Sequence, residues 1–231
     1  MTSDSRTTHR VIGIIGGMGP EATVDLMRRV IAKIPASDDQ DHVHLIVESN
    51  PKIPSRIAHL IEGTGADPTP ELVRIAQNLE QAGAHALAIP CNTAHAYAEA
   101  IQRAAGIPLF DMVALTVDRI GALHPAARVG VLASTAVHKV GLYAHALSAA
   151  GMSQLVPPRQ PEVMDLITAV KRGDTSNAAQ GRLAELALDL ANRTDVILIA
   201  CSELSVISGS ITAPFVDALD VLAAEIVRFA T

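Results

Sequence analysis

Ile89-Pro90-Cys91-Asn92-Thr93-Ala94-His95 ends an apolar run at a cysteine and hands over to residues suited to start a helix. Val196-Ile197-Leu198-Ile199-Ala200-Cys201-Ser202-Glu203 repeats the design 110 residues later, and the chain has no other cysteines. An unbroken apolar run of this length fits a strand buried on both faces, as in a parallel sheet covered by helices. The Asn, Thr and Ser that follow are residues that cap helix N-termini. Each stretch reads as strand, cysteine, helix.

Two more pairs of stretches stand in the same order around them. Val11-Ile12-Gly13-Ile14-Ile15 closes at Gly16-Gly17-Met18-Gly19-Pro20, and Val129-Gly130-Val131-Leu132-Ala133 closes at Ser134-Thr135. Ile107-Pro108-Leu109-Phe110-Asp111 and Ala213-Pro214-Phe215-Val216-Asp217 share an early proline and a final aspartate ahead of a helical pattern. Three matched features in one order indicate an internal duplication. The expected fold class is α/β: two pseudosymmetric parallel-sheet α/β domains with the active site in the cleft between them. Residues 1–115, completed by the C-terminal helix 219–231, form the expected N-terminal domain, and 116–218 the C-terminal one.

Between these anchors the apolar spacing predicts a helix from Pro20, a strand over 43–47 and a loop over 51–68. A helix capped by Thr69, with Pro70 in its first turn, ends before Gly83. Further helices are expected over 93–105, 113–123, 162–172 and 176–192, and from Val221 onward.

Composition narrows the function. With 49% hydrophobic but only 2% aromatic residues, the core is aliphatic, which suits a buried parallel sheet. A net charge of -6, no Trp, three Phe and two Tyr give neither a basic stripe nor a stacking platform, so no nucleic-acid partner is expected. The polar first ten residues and the lack of any long apolar run predict a cytoplasmic protein with no membrane contact.

A thiol at a strand tip faces the N–H groups and positive dipole of the following helix, which favour thiolate and lower its pKa. Two cysteines in a reducing compartment are often buried and inert; their matched positions set these apart. Strand C-terminal edges are where open α/β sheets bind ligands, and a two-fold relation turns the two edges toward each other. One thiol on each side of a bound carbon suits removal of a proton from one face and its return to the other, which is racemisation or epimerisation of a small molecule. Asn92, Thr93, Ser134, Thr135 and Ser202, with adjacent N–H groups, are candidates to hold a carboxylate and the charge that develops on it. The same residues also read as helix caps.

Arg56, on the proline-flanked segment Pro51-Lys52-Ile53-Pro54-Ser55-Arg56, offers a planar fork to a carboxylate, or else a solvated surface charge. Gly17-Met18-Gly19-Pro20-Glu21-Ala22 fits a loose dinucleotide pattern, with Glu48 as a ribose ligand. Glu21 would then set a negative charge beside the pyrophosphate, so a turn that brings backbone close to a small ligand is the better reading. Lys33, Lys52, Lys139 and Lys171 have no accompanying phosphate loop, and the nine histidines are scattered, so no cofactor and no metal are expected. His95, one turn past Cys91, is either a tuning group or a helix-surface residue.

Four ordered pieces resemble the aspartate/glutamate racemase family, and within it the cofactor-independent aspartate racemases: Gly16-Gly17-Met18-Gly19-Pro20-Glu21-Ala22-Thr23, Asn50-Pro51-Lys52-Ile53-Pro54-Ser55-Arg56, Pro90-Cys91-Asn92-Thr93-Ala94-His95 and Ala200-Cys201-Ser202-Glu203. The resemblance covers nearly the whole chain from about Val11. It implies a homodimer that interconverts L- and D-aspartate with Cys91 and Cys201 as the acid/base pair. It also implies substrate contacts from Met18, Asn92, Thr93, Ala94, Lys171, Ser202 and Glu203, with Arg56 on the side-chain carboxylate. Two positions depart from the family pattern. Ser55-Arg56-Ile57 stands where Asp-Arg-Thr is usual, and Ala200-Cys201-Ser202-Glu203 where Gly-Cys-Thr-Glu is usual. The first departure leaves glutamate, a broader set of amino acids, or hydantoin racemase and maleate isomerase chemistry as alternatives. A ligand-binding protein without catalysis, or a thiol switch closing a Cys91–Cys201 disulfide, is the alternative from another class.

Overall fold

A computed structural model describes residues 9–231. Its first half runs β1 (Ile12–Gly16), α1 (Pro20–Ala32), β2 (Leu45–Ser49), α2 (Thr69–Gln81), β3 (Ala86–Ala88), α3 (Ala98–Ala104) and α4 (Met112–Leu123). The second runs β4 (Arg128–Ala133), α5 (Thr135–Val140), α6 (Leu142–Ala149), β5 (Ser153–Leu155), α7 (Gln160–Lys171), α8 (Asn177–Ala191), β6 (Val196–Ala200), α9 (Ser202–Val206), β7 (Phe215–Asp217) and α10 (Ala218–Ala230). All strand pairs are parallel, in the orders β2-β1-β3 and β5-β4-β6-β7. The expected α/β class with two parallel sheets is what the chain forms.

The two orders superimpose once β1 is matched with β4, β2 with β5 and β3 with β6. The counterpart of β7 shrinks to a single parallel bridge, Leu87 to Leu109. Leu87 N donates to Pro108 O at 2.8 Å and Phe110 N to Leu87 O at 2.9 Å, so two hydrogen bonds stand where a strand was expected.

Asp111 and Asp217 end these matched segments and cap the helices after them. Asp111 Oδ1 accepts from Val113 N and Ala114 N at 2.9 and 3.0 Å. Asp217 Oδ1 accepts from Leu219 N at 2.9 Å, so α10 starts at Ala218 and not at Val221. Each capped helix crosses to the other half: α4 packs on α6 and β7, and α10 on α1. One apolar cluster therefore runs from Ile12 and Ile14 of β1 through Met112 and Ile120 of α4 to Val131 of β4 and Ile226 of α10. Burying each such side chain contributes about 1.5–3 kcal/mol.

Other local differences have physical causes. Thr69 does not cap α2; Asp67 Oδ1 instead accepts from both Thr69 N and its hydroxyl, at 2.8 and 2.6 Å. Within the expected 51–68 loop, Ala58–Glu62 closes a π-helical turn. The helix expected over 93–105 begins as a 3-10 turn, Thr93–Tyr97, before α3. There Ala94 N takes the Cys91 carbonyl at 3.2 Å, and His95 Nδ1 lies 2.9 Å from the same oxygen. An α-helical bond to that oxygen has been replaced.

Gly17 is where the chain needs a glycine. Its φ is +92°, and a Cβ there would lie 2.4 Å from the Asn50 backbone. Thr23 Oγ1 accepts from Gly17 N at 2.9 Å and donates to Gly19 O at 3.1 Å, tying the turn to α1.

Candidate active site

The C-terminal edges of the two sheets meet over a cavity of about 50 Å³. One water needs roughly 10–15 Å³ on this scale, so the space suits a small ligand. Met18, Ser55, Arg56, Ile57, Cys91, Asn92 and Thr93 line it from the first half; Ser134, Ile167, Lys171, Ala200, Cys201, Ser202 and Glu203 line it from the second. Both cysteines are free, buried, and present on this one cavity.

Two expected contacts fall outside the lining. Ala94 is fully buried in the apolar cluster behind β3. Thr135 faces α7, where Gln160 Nε2 donates to its hydroxyl at 3.4 Å. Its neighbour Ser134 takes the wall position, and Ser134 Oγ also accepts from Val137 N as the cap of α5. Ser55, Ile57 and Ile167 went unmarked as ligands in the sequence. Ile167 stands one helical turn before Lys171, and that i, i+4 relation was the signal available.

Cys201 does not sit as expected. Its Sγ donates to Glu203 Oε2 at 3.1 Å, while Glu203 Oε1 lies 3.7 Å from Lys171 Nζ. Burial pushes the Cys201 thiol well up, and the Glu203 charge and hydrogen bond push it further; Lys171 and the Leu204 N–H oppose them. The expected lowering by a helix dipole fails here because α9 has only five residues, too short to build much dipole, and a carboxylate lies beside the sulfur.

His95 is neither a surface residue nor a charge partner of the thiolate. It is buried, and its Nε2 accepts from Met112 N at 3.2 Å, so the proton sits on Nδ1 and is donated to Cys91 O. Burial lowers its pKa, which keeps the ring neutral. His95 thus pins the Cys91 backbone to the start of α4.

Arg56 lines the cavity with Nη1 donating to Pro54 O at 3.0 Å, and its Nε is buried with no hydrogen-bond partner. Met18, on the glycine turn, is buried against the cavity. The dinucleotide alternative is overturned at Glu48, which is engaged on α2 by Arg74 Nη2 at 2.7 Å and Asn78 Nδ2 at 3.3 Å. Among the described residues, no group of three or more His, Cys, Asp or Glu is placed to hold a metal, and no helix is long and apolar enough to cross a membrane.

Two like α/β halves that close over one small cavity, each contributing a cysteine, define the architecture of a racemase-type isomerase. The chain belongs to the Asp/Glu/hydantoin racemase family, whose model matches residues 15–226. It is 30% identical over 220 residues to the broad specificity amino-acid racemase RacX of Bacillus subtilis, covering 92% of this chain and 95% of that protein. The aspartate racemase of Picrophilus torridus superimposes with a TM-score of 0.88 at 29% identity, covering 96% of this chain and 94% of that one. A glutamate racemase from Francisella tularensis, solved with D-glutamate, shares the fold at a TM-score of 0.63 and 17% identity, over 96% of this chain and 81% of that one. The protein is thereby an isomerase of the amino-acid racemase kind.

Proposed function

We propose that the protein interconverts L- and D-aspartate by passing the α-proton between Cys91 and Cys201, without a cofactor. The observation that carries this reading is that the two halves deliver their single thiols to one small cavity. Cys201, hydrogen-bonded to Glu203, rests as the thiol and is the proton donor. Cys91 has Thr93 where Cys201 has Glu203, with no carboxylate among the lining residues of its half, and serves as the base. The reverse reaction exchanges the roles.

Asn92, Ser134 and Ser202 supply hydrogen-bond donors for the α-carboxylate as enediolate charge builds, and Arg56 and Lys171 supply the positive charge a dicarboxylate requires. The small cavity favours a short side chain. A broader amino-acid range is the second reading. It is favoured by Ile57, which sets an apolar group in the wall beside Arg56, and by the likeness to a broad-specificity racemase. The crossing of α4 and α10 supports dividing the chain as 1–115 with 219–231, and 116–218. A cytoplasmic homodimer completes the reading, and two free thiols suit a reducing compartment.

The test is incubation with a panel of L-amino acids in deuterium oxide, following loss of the α-proton signal and appearance of the D-form. Aspartate should react fastest, and dialysis against a chelator should leave the rate unchanged. Activity restored only by a metal ion or by pyridoxal phosphate would contradict the cofactor-free reading.

A further inference from the structure

Tyr143 is among the largest fully buried side chains and lies on α6 of the second half, yet its hydroxyl reaches the cleft residue Asn92 of the first half. Gly141, at φ +75°, separates α5 from α6 and so sets the direction in which α6 leaves. The helix packs against α4 and the Thr93–Tyr97 turn, both from the first half.

Tyr143 Oη donates to Asn92 Oδ1 at 2.6 Å. That length is normal for O–H···O and short for N–H···O, so it is the amide oxygen that faces the tyrosine. Burial raises the Tyr143 pKa, which keeps its proton in place for this bond. With the oxygen committed, Asn92 Nδ2 is left with no hydrogen bond to any described residue, on a side chain that lines the cavity. An unrestrained amide can turn either its NH2 or its carbonyl to a ligand, and only the NH2 attracts a carboxylate.

We infer that Tyr143 is a positioning residue: it fixes the Asn92 amide so that the NH2 group, and not the carbonyl, meets the substrate α-carboxylate. This rests on the racemase reading and adds a residue that touches no substrate itself. It also makes the carboxylate site of the first half depend on a side chain of the second.

The test compares KM and kcat for aspartate racemisation in the native protein, Tyr143→Phe, Asn92→Ala, the double variant, and Asn92→Asp. Loss of an oriented hydrogen bond to a charged group corresponds to about a tenfold change. Tyr143→Phe should therefore raise KM about tenfold while kcat changes far less. In the Asn92→Ala background the same substitution should change KM by less than about twofold, because the amide through which Tyr143 acts is gone. Asn92→Asp keeps an acceptor for Tyr143 but turns a carboxylate toward the substrate, and should raise KM at least as much. Native KM in Tyr143→Phe, an equal effect in both backgrounds, or native KM in Asn92→Asp would each overturn the assignment. The Asn92→Asp protein decides alone should Tyr143→Phe fail to fold. A native protein that exchanges no α-proton on any amino acid sinks the racemase reading and this assignment with it. A racemising native protein beside a Tyr143→Phe variant of native KM sinks this assignment only.

Discussion

Around Cys91 the cleft wall carries one cation, Arg56, and no carboxylate; around Cys201 it carries the Lys171–Glu203 pair, with Glu203 accepting the thiol proton. Four residues past each cysteine the halves differ again. His95 bonds the Cys91 carbonyl and the start of α4, whereas Ser205 donates at 2.7 Å to Asp217, the residue that caps α10. The turn after β1 needs Gly17 at φ +92°, while the turn after β4 uses Ser134 at an ordinary φ of -66°. Strand order is common to the halves and side-chain surroundings are not. Duplication has kept a frame that brings two thiols together, and divergence has given one of them a partner that holds its proton.

The largest effects should come from the thiols. Cys91→Ser and Cys201→Ser should each lower racemisation about 10³-fold, because a hydroxyl is too weak an acid to alternate between the two roles. A variant retaining a tenth of native activity would break the matched-pair account. Next, the turns should separate under one substitution type. Gly17→Ala should destabilise by about 3 kcal/mol, since it adds a strained φ and a Cβ against Asn50, whereas Ser134→Ala should lose only a cap of about 1 kcal/mol. Thermal melting of both variants measures the gap. Arg56→Lys keeps the charge and loses the fork, and should raise KM for aspartate about tenfold, with a smaller change for an amino acid lacking a side-chain carboxylate. Equal changes for the two substrates would move Arg56 off the side-chain carboxylate.

Glu203→Gln sharpens the comparison through pH. Burial, the Glu203 charge and its hydrogen bond all raise the Cys201 pKa, opposed by Lys171 and the Leu204 N–H. Removing the negative charge lowers that pKa, so the Cys201 proton is lost at lower pH. The alkaline limb of the pH–rate profile should therefore shift to lower pH in the direction that uses Cys201 as donor. A limb that stays in place would free Glu203 from this role.

Much of this frame is legible in the sequence because it rests on runs of like residues. Val196–Ala200 and Ile12–Gly16 read as buried strands from five consecutive residues, and the capping aspartates stand just ahead of their helices. Short polar elements leave no such trace: β5 is Ser-Gln-Leu at a sheet edge, and Ala58–Glu62 forms its turn inside a segment that reads as loop. The site residues were legible as motif neighbours of the cysteines. Their electrostatics were not, because the Cys201 thiol depends on a Glu203 rotamer and on Lys171 of another helix. The Tyr143–Asn92 bond joins residues 51 apart across the halves, and no local pattern encodes it.

The central claim is that each thiol addresses one face of the substrate carbon, and exchange measured separately on L- and D-aspartate in deuterium oxide tests it most directly. The native protein should label and invert both enantiomers. Cys201→Ser should label one enantiomer slowly with little inversion, and Cys91→Ser should do the same for the other. Either variant racemising both enantiomers near the native rate would contradict the account.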